Sequence, residues 1–175
     1  MRGPNGSGKT SLLRIVCGLL TPDTGTVSWD GRPLRDLGDS WRSELAYIGH
    51  LNGLKDELTP GENLTHAARL SGLPAGASEV NAALDAFGLT ACARLPCKVL
   101  SQGLRRRAAL ARLKLSRSRP VWVLDEPFSA LDTDAVALAR HTIEEHLASG
   151  GLAILTTHQD GGFTAGIAHR LELAS

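Results

Sequence analysis

The most constraining feature of this sequence is a short glycine-rich stretch near its start, GPNGSGKT over residues 3–10. It fits the pattern G-x-x-x-x-G-K-[ST], in which glycines let the backbone turn its N–H groups inward around phosphate oxygens. In this pattern the lysine reaches the outer phosphates and the final hydroxyl is placed for Mg²⁺. The apolar spacing of the next residues, SLLRIVCGLL, predicts a helix whose positive N-terminus favours a bound anion. The predicted phosphate loop consists of Gly3, Pro4, Asn5, Gly6, Ser7, Gly8, Lys9, Thr10 and Ser11.

A second feature is the run VWVLDEP at residues 121–127. Its four apolar residues predict a strand buried on both faces, and Asp125 and Glu126 follow where that strand emerges. In a phosphate-loop protein an acid at this place holds Mg²⁺, and the next acid can polarise the attacking water. An acidic pair before a proline could merely end a strand, but its combination with the loop favours catalysis. We therefore predict that Thr10 and Asp125 bind the metal and that Glu126 is the general base.

Of the six histidines, His158 is a candidate for catalysis, whereas His141 and His146 are interpreted as ordinary surface residues. His158 ends the apolar run LAILTTH, at the sheet edge where phosphate-handling groups gather. A lone histidine at a strand end is more often a surface residue, but this location favours a catalytic sensor that contacts the terminal phosphate and orients Glu126. His141 and His146 lie five residues apart on a predicted helix, which is poor metal-ligand spacing. We predict that both are solvated.

The distribution of apolar residues predicts an α/β protein with a helical insertion. Runs typical of strands lie toward both ends of the chain: GTVSWDG, ELAYIGH, PVWVLDEP, LAILTTH and HRLEL. Between residues 57 and 118 the chain is rich in Ala and Leu and contains three helical patterns. We therefore expect a single domain over residues 1–175. Residues 1–56 and 119–175 would form a nucleotide-binding α/β core, and residues 57–118 a helical subdomain.

Composition narrows the classes of function. A formal net charge of +1 argues against a dedicated nucleic-acid binder, which usually carries a strong basic excess. Three cysteines without zinc-ligand spacing are typical of a reduced cytosolic chain. No stretch approaches the roughly eighteen apolar residues of a membrane span, so work at a membrane would require a partner that holds the protein there.

In order and spacing, the phosphate loop, LSQGLRRRAALARL, VLDEPFSALD and TTHQ resemble the motifs of the ATP-binding-cassette (ABC) ATPases. The resemblance runs from the loop to the last predicted strand. It implies a P-loop NTPase with a RecA-like core, a mixed and mainly parallel sheet, an inserted ABC helical subdomain, and ATP and Mg²⁺ as cofactors. In that family the signature serine and glycine, here Ser101 and Gly103, cap the γ-phosphate of ATP bound to the opposite subunit. A homodimer through the nucleotide sites is therefore implied.

A narrower resemblance concerns YIGHLNGLKDELTPGENL, the signature segment and TTHQD, which look like the ATPase subunits of haem exporters used in cytochrome c biogenesis. It implies a haem-transporting ATPase at the cytoplasmic face of the bacterial inner membrane, peripheral, with integral membrane transporter subunits as partners. Haem delivery proteins would be indirect partners, and nucleic acid would not be one. Nothing in the histidines and cysteines indicates haem binding by this chain. An ABC ATPase of another transporter, a non-transport ABC protein and an inactive nucleotide-binding fragment are the alternatives.

Several positions depart from the family pattern. His50 occupies the place of a Gln that touches Mg²⁺ and the water in most cassette ATPases, so nucleotide contacts would become sensitive to pH. Leu104 replaces the final Gln of the signature, and we expect weaker or slower closure of the dimer. Residues 105–107 form a run of three arginines on the signature helix, for which a solvated face is favoured over a docking patch for acidic loops of membrane subunits.

The largest departure is at the start, where about thirty residues of a typical cassette ATPase have no counterpart. Those residues include the strand that enters the phosphate loop and an aromatic that stacks on adenine. A missing strand leaves buried N–H and C=O groups unpaired, each at a cost of about 1 to 3 kcal/mol. We therefore expect a fragment or a misassigned start codon, with upstream residues supplying the strand.

Overall fold

The computed structural model describes residues 1–4, 6–157, 163 and 169–173. Seven helices and five strands are formed by these residues. They are α1 (Lys9–Val16), β1 (Ser28–Trp29), β2 (Arg32–Pro33), α2 (Leu34–Leu37), α3 (Asp39–Glu44), β3 (Leu45–Ile48), α4 (Pro60–Leu70), α5 (Ala77–Ala86), α6 (Gln102–Leu115), β4 (Val121–Asp125), α7 (Thr133–Ala148) and β5 (Leu152–Thr156). Two 3₁₀ turns, Thr90–Cys92 and Cys97–Val99, lie between α5 and α6.

The main sheet is parallel, in the order β3-β4-β5. Leu45 pairs with Val121 across β3 and β4, and Asp125 pairs with Thr156 across β4 and β5. Because the strands are parallel, their carboxyl ends lie at one edge of the sheet. This edge carries the acidic pair, so the fold brings residues from distant parts of the chain to one place. A separate antiparallel hairpin joins β1 to β2.

The central strand β4 is buried on both faces, which confirms the prediction made from its apolar run. Val121 and Val123 pack into one cluster together with residues of α1 and α3. Trp122 and Leu124 point to the opposite face and join a larger cluster with residues of α4, α5, α6 and α7. Each such side chain, fully buried, contributes about 1.5 to 3 kcal/mol, so this strand anchors two cores at once.

Three helices, α4, α5 and α6, lie between β3 and β4 in the sequence and pack on one another. The start of α4 is fixed by a capping box, in which Thr59 accepts from the Glu62 amide and the Glu62 carboxylate accepts from the Thr59 amide. The start of α6 is capped by Ser101, whose hydroxyl accepts from the Leu104 amide. Among the described helices, none has both the length and the apolar character that a membrane-spanning segment needs.

The first two residues pair with main chain on both sides. The amino group of Met1 donates to the Leu155 carbonyl at 2.6 Å, and the Met1 carbonyl accepts from the Thr157 amide at 3.3 Å. On the other side Arg2 exchanges two backbone hydrogen bonds, each 2.8 Å, with Leu171 and Leu173. Met1 and Arg2 therefore make part of the main-chain hydrogen bonding expected of the strand that leads into the phosphate loop, beside the end of β5.

Two of the predicted strands are shorter in the structure than their sequence patterns. GTVSWDG yields only the two residues of β1, because the chain turns at Asp30, which has a φ of +48°, and Gly31 to form the hairpin. HRLEL yields a single parallel bridge between Arg2 and Glu172, which lies outside the strands of the sheet. Helices α2 and α3 have no clear amphipathic pattern in the sequence and were not predicted.

The prediction that His146 is solvated is wrong. His146 is buried and its ring stacks on Trp122 with a centroid separation of 3.9 Å. Its Nε2 lies 3.3 Å from the Leu152 carbonyl. Gly151 leaves room for the ring, because a side chain there would collide with the imidazole. By contrast, His141 is exposed on the same helix, as predicted.

Burial lowers the pKa of His146 below its ordinary value. As the pH falls below about 6.5, the unfolded chain therefore binds this proton before the folded one does, and the folded state loses stability. Above that pH both states are neutral at this position and the stabilisation is complete. We expect the free energy of unfolding, measured with urea between pH 5 and pH 8, to fall more steeply on the acid side in the wild type than in His146→Phe. The exposed His141→Gln variant should keep the wild-type slope; equal slopes for all three proteins would contradict the assignment.

Candidate functional site

The phosphate loop lies between the short N-terminal pairing and α1. Gly8, with a φ of +86°, directly precedes α1, a backbone conformation that side chains disfavour. Gly3 is required by space, since a Cβ there would approach the Leu173 carbonyl and the Ser7 hydroxyl to 2.6 Å. The ammonium group of Lys9 donates to the Gly3 and Pro4 carbonyls at 2.9 and 2.8 Å. Lys9 therefore closes the loop from inside, with only 8% of the residue exposed.

The predicted loop residues differ in burial and in hydrogen bonding. Ser7 carries a buried hydroxyl oxygen without a hydrogen-bond partner in the described residues. Gly6 and Ser11 are exposed, whereas Asn5 lies outside the described residues. An unpaired buried hydroxyl costs free energy, and an oxygen-rich anion in the loop would relieve that cost. The loop thus has the composition and the open donors of an anion site.

At the carboxyl end of β4, Asp125 is held by two hydroxyl groups. Thr10 donates to its Oδ2 at 2.8 Å, and Thr156 donates to its Oδ1 at 2.7 Å. Asp125 is 2% exposed, so these hydrogen bonds fix the direction of the carboxylate. The sequence indicated Thr10 and Asp125 but not Thr156, whose position becomes evident only from the pairing of β4 with β5.

Thr10 and Asp125 fit the metal that the sequence predicts. Mg²⁺ prefers hard oxygen ligands and keeps several water molecules, and it usually takes few protein ligands beside the phosphates. The hydroxyl of Thr10 and the carboxylate of Asp125 are such ligands, and their 2.8 Å hydrogen bond shows that the two oxygens converge. The residues at this edge of the sheet are therefore chemically suited to a Mg²⁺ bound together with a nucleotide.

Glu126 stands beside this pair in an unusual backbone conformation. Its φ is +48°, a left-handed value that costs a non-glycine residue about 1 to 3 kcal/mol. Its amide donates to the Thr156 hydroxyl at 2.9 Å. Its carboxylate is partly exposed and lies 3.8 Å from Nδ1 of His50. The structure thus brings together Glu126 and His50, two residues that the sequence singled out separately.

His158, the predicted sensor, lies outside the described residues. Ser101 and Gly103 lie at the start of α6. The Ser101 hydroxyl accepts from the Leu104 amide, and a Cβ added at Gly103 would lie 3.1 Å from the Ala130 carbonyl, so neither observation involves the phosphate loop of the same chain. Ser101 and Gln102 are exposed, so this end of α6, with its free amides, is open to another molecule.

The interpretation of the arginine run as a solvated face is wrong for Arg106. Only 2% of Arg106 is exposed, and its guanidinium reaches the backbone of the acidic pair. Its neighbours on α6 form ion pairs nearer the surface, Arg105 with Asp56 and Arg107 with Asp132. Sequence reasoning missed Arg106 because three consecutive arginines carry no sign of which one faces inward. Leu104 packs against the larger core cluster.

Comparison with known proteins covers most of the chain. Residues 1–129 match a family model described as ABC transporter. The chain is 54% identical to the cytochrome c biogenesis ATP-binding export protein CcmA of Cupriavidus necator over 156 residues, which are 89% of this chain and 68% of that protein. It is 47% identical to the protein of the same name from Dechloromonas aromatica over 173 residues, which are 99% of this chain and 84% of that protein.

Two solved structures are similar in fold. A structure of the ATP binding subunit of an ABC transporter has a TM-score of 0.75 at 28% identity and covers 90% of this chain and 66% of its own. A dimeric, post-hydrolysis structure of the ATP-binding cassette MJ0796, bound to ADP and Pi, has a TM-score of 0.78 at 25% identity, with coverages of 90% and 72%. The range matched by the family model contains the phosphate loop, the start of α6 and the acidic pair.

Proposed function

This chain belongs to the ABC transporter family as one of its ATPases, and on that basis we propose that it drives the haem exporter of cytochrome c biogenesis. The relatives named CcmA, at 47 to 54% identity, support this branch of the family. The chain would hydrolyse Mg·ATP as a haem-transporting ATPase. It would do so as a peripheral subunit at the cytoplasmic face of the inner membrane, bound to integral membrane transporter subunits and only indirectly linked to haem delivery proteins.

The observation that carries the catalytic part of the proposal is the convergence at the carboxyl edge of the sheet. Lys9 and Thr10 come from the start of α1, Asp125 and Glu126 from the end of β4, and hydrogen bonds of 2.7 and 2.8 Å connect Asp125 to Thr156 and Thr10. Phosphoryl transfer needs charge neutralisation and positioning more than covalent chemistry, and this set of residues supplies both.

We assign each step to a residue of this chain. The Lys9 ammonium and the backbone amides within residues 3–11, except at Pro4, which has no N–H, bind the phosphates. Thr10 and Asp125 would hold Mg²⁺, which would neutralise charge on the phosphate oxygens. Glu126 accepts a proton from water as the water oxygen attacks the γ-phosphorus, and the bond to the β–γ bridging oxygen breaks. His50, 3.8 Å from Glu126, orients that carboxylate, and His158 is proposed to contact the terminal phosphate.

The site requires a second copy of the chain. Ser101 and Gly103 lie at the exposed start of a 14-residue helix, whose free amides and positive dipole favour an anion. The described hydrogen bonds of Ser101 are with Leu104 and Arg105 of its own helix. We propose that Ser101 and Gly103 cap the γ-phosphate of ATP held by the partner. The dimeric form of the MJ0796 cassette supports this arrangement.

The transport part of the proposal is tested by co-purification. The tagged protein, extracted from membranes in mild detergent, is expected to retain an integral membrane protein with several spans. The complex is expected to hydrolyse Mg·ATP. Recovery only in soluble ribosomal fractions would favour the alternative of a non-transport ABC protein. Binding of ATP without turnover in the complex would instead favour an inactive nucleotide-binding subunit.

A further inference from the structure

Every donor of the buried Arg106 guanidinium is used. A guanidinium has five N–H groups, and five oxygen atoms accept from this one. The acceptors are the carbonyls of Gly49 (2.9 Å), Asp125 (2.9 Å), Glu126 (2.8 Å) and Pro127 (3.3 Å) and the side-chain oxygen of Asn52 (3.2 Å). Together these acceptors belong to two segments, the one that carries the acidic pair and the one that carries His50.

We propose that Arg106 is a positioning residue that fixes the backbone of Glu126 and of the His50 segment to α6. Through α6 it couples the ATP capped by Ser101 and Gly103 in the partner's site to proton transfer at Glu126 in its own site. The proposal rests on the proposed function for its catalytic meaning. The structural part of the proposal is that the Arg106 guanidinium holds two catalytic segments to α6. This part is supported by the hydrogen bonds of Arg106 alone.

Packing does not account for an arginine at this place. None of its five acceptors is a carboxylate oxygen, and burial lowers the pKa of Arg106, while the charges of Asp125 and Glu126 act in the opposite direction. A buried ion pair can often be replaced as a whole by apolar side chains without loss of stability, so a buried charge is weak evidence for a stabilising role. A charged group that is costly to bury and is hydrogen-bonded at every donor is therefore better explained by the geometry it imposes than by stability.

The geometry concerns Glu126 directly. Its amide is held by the Thr156 hydroxyl at 2.9 Å, and its carbonyl is held by Arg106 at 2.8 Å, so both sides of this left-handed residue are fixed. The residue before His50 is held by the same guanidinium, through the Gly49 carbonyl. One side chain therefore sets the relative position of the two groups that stand 3.8 Å apart in the site.

The coupling follows from the helix. Arg106 lies five residues after Ser101 on α6, which is about 7.5 Å along the axis of a helix. A helix of this length moves as a rigid body, so a displacement of its exposed start is passed to the guanidinium. When the start of α6 closes on a nucleotide in the partner's site, Arg106 moves with it and carries the Glu126 and Gly49 carbonyls.

The test compares steady-state Mg·ATP hydrolysis by wild type, Arg106→Met, Arg106→Lys and the control Arg105→Met. Arg105 directly precedes Arg106 on α6, and it contacts Asp56 and the Cys97 carbonyl rather than the acidic segment. We expect Arg106→Met to lower kcat about 30-fold with KM within about twofold, because the Lys9 loop is untouched. Arg106→Lys should recover part of the loss, and Arg105→Met should stay within about twofold. An unchanged kcat in Arg106→Met, or a KM that rises as far as kcat falls, overturns the proposal.

Amide hydrogen exchange without nucleotide provides a second measurement that does not depend on turnover. In Arg106→Met, exchange over residues 49–52 and 125–129 should be at least about 10-fold faster than in the wild type, and in Arg105→Met it should be unchanged. Equal exchange rates in Arg106→Met and Arg105→Met would overturn the proposal. This holds even if the wild type does not hydrolyse ATP, a result that would contradict the proposed function separately. If Arg106→Met does not fold, Arg106→Lys and Asn52→Ala replace it. Unchanged kcat in both overturns the proposal.

Discussion

Replacing Glu126 with Gln is expected to lower the rate of Mg·ATP hydrolysis by about 10²- to 10⁴-fold, the range typical of a lost general base. The amide has nearly the shape of the carboxylate but cannot accept the proton of the attacking water. Binding of ATP should persist, because Lys9 and Thr10 belong to α1 and are unchanged. Turnover measured by phosphate release, and affinity measured with a fluorescent ATP analogue, give the two quantities separately.

The control for this experiment is Glu57→Gln, which removes an exposed carboxylate from the segment before α4. It should hydrolyse ATP at the wild-type rate. If Glu126→Gln also turned over at that rate, the assignment of Glu126 as general base would be wrong. Loss of ATP affinity equal to the loss of turnover would mean that Glu126 acts in binding, and the water would then need another base.

Two inactive variants are expected to restore activity when combined. Lys9→Ala removes the ammonium group from the phosphate loop, and Ser101→Arg places a bulky side chain at the exposed start of α6. In a dimer that contains one copy of each variant, one site combines the intact phosphate loop of Ser101→Arg with the intact start of α6 of Lys9→Ala. The other site carries both defects. Such mixed dimers should recover about half of the wild-type rate per dimer, since one of two symmetric sites is whole.

The mixed dimers are isolated by two different affinity tags applied in sequence, and their rate is compared with that of each variant purified through the same two tags. Each variant alone should be close to inactive. A mixed dimer no more active than its parents would mean that loop and helix start act within one chain. In that case the proposal of a site shared between two chains would have to be abandoned.

Local sequence patterns were sufficient to find the parts of the site that are contiguous in the chain. The loop around Lys9 and Thr10 is recognisable because glycine, lysine and hydroxyl have fixed spacings. The acids Asp125 and Glu126 are recognisable because they follow an apolar strand. The parallel sheet then places both at one edge, an outcome that follows from strand direction alone.

Residues whose roles depend on pairing and packing could not be found in this way. Thr156 contacts Asp125 only because β5 pairs in register with β4, and no local pattern sets that register. Which of three neighbouring arginines turns inward depends on how α6 rests on the sheet, so Arg106 was indistinguishable from Arg105 in the sequence. No local pattern indicates that His146 is buried, because the Trp122 ring that covers it lies on a different element.

The hydrogen bond from Thr10 to Asp125 has a consequence for how a cation would enter. A hydroxyl has one proton, and here that proton is committed to the carboxylate. Both lone pairs of the Thr10 oxygen are therefore left facing elsewhere, oriented before any ion arrives. The Thr10 oxygen could then coordinate a cation without breaking its hydrogen bond to Asp125.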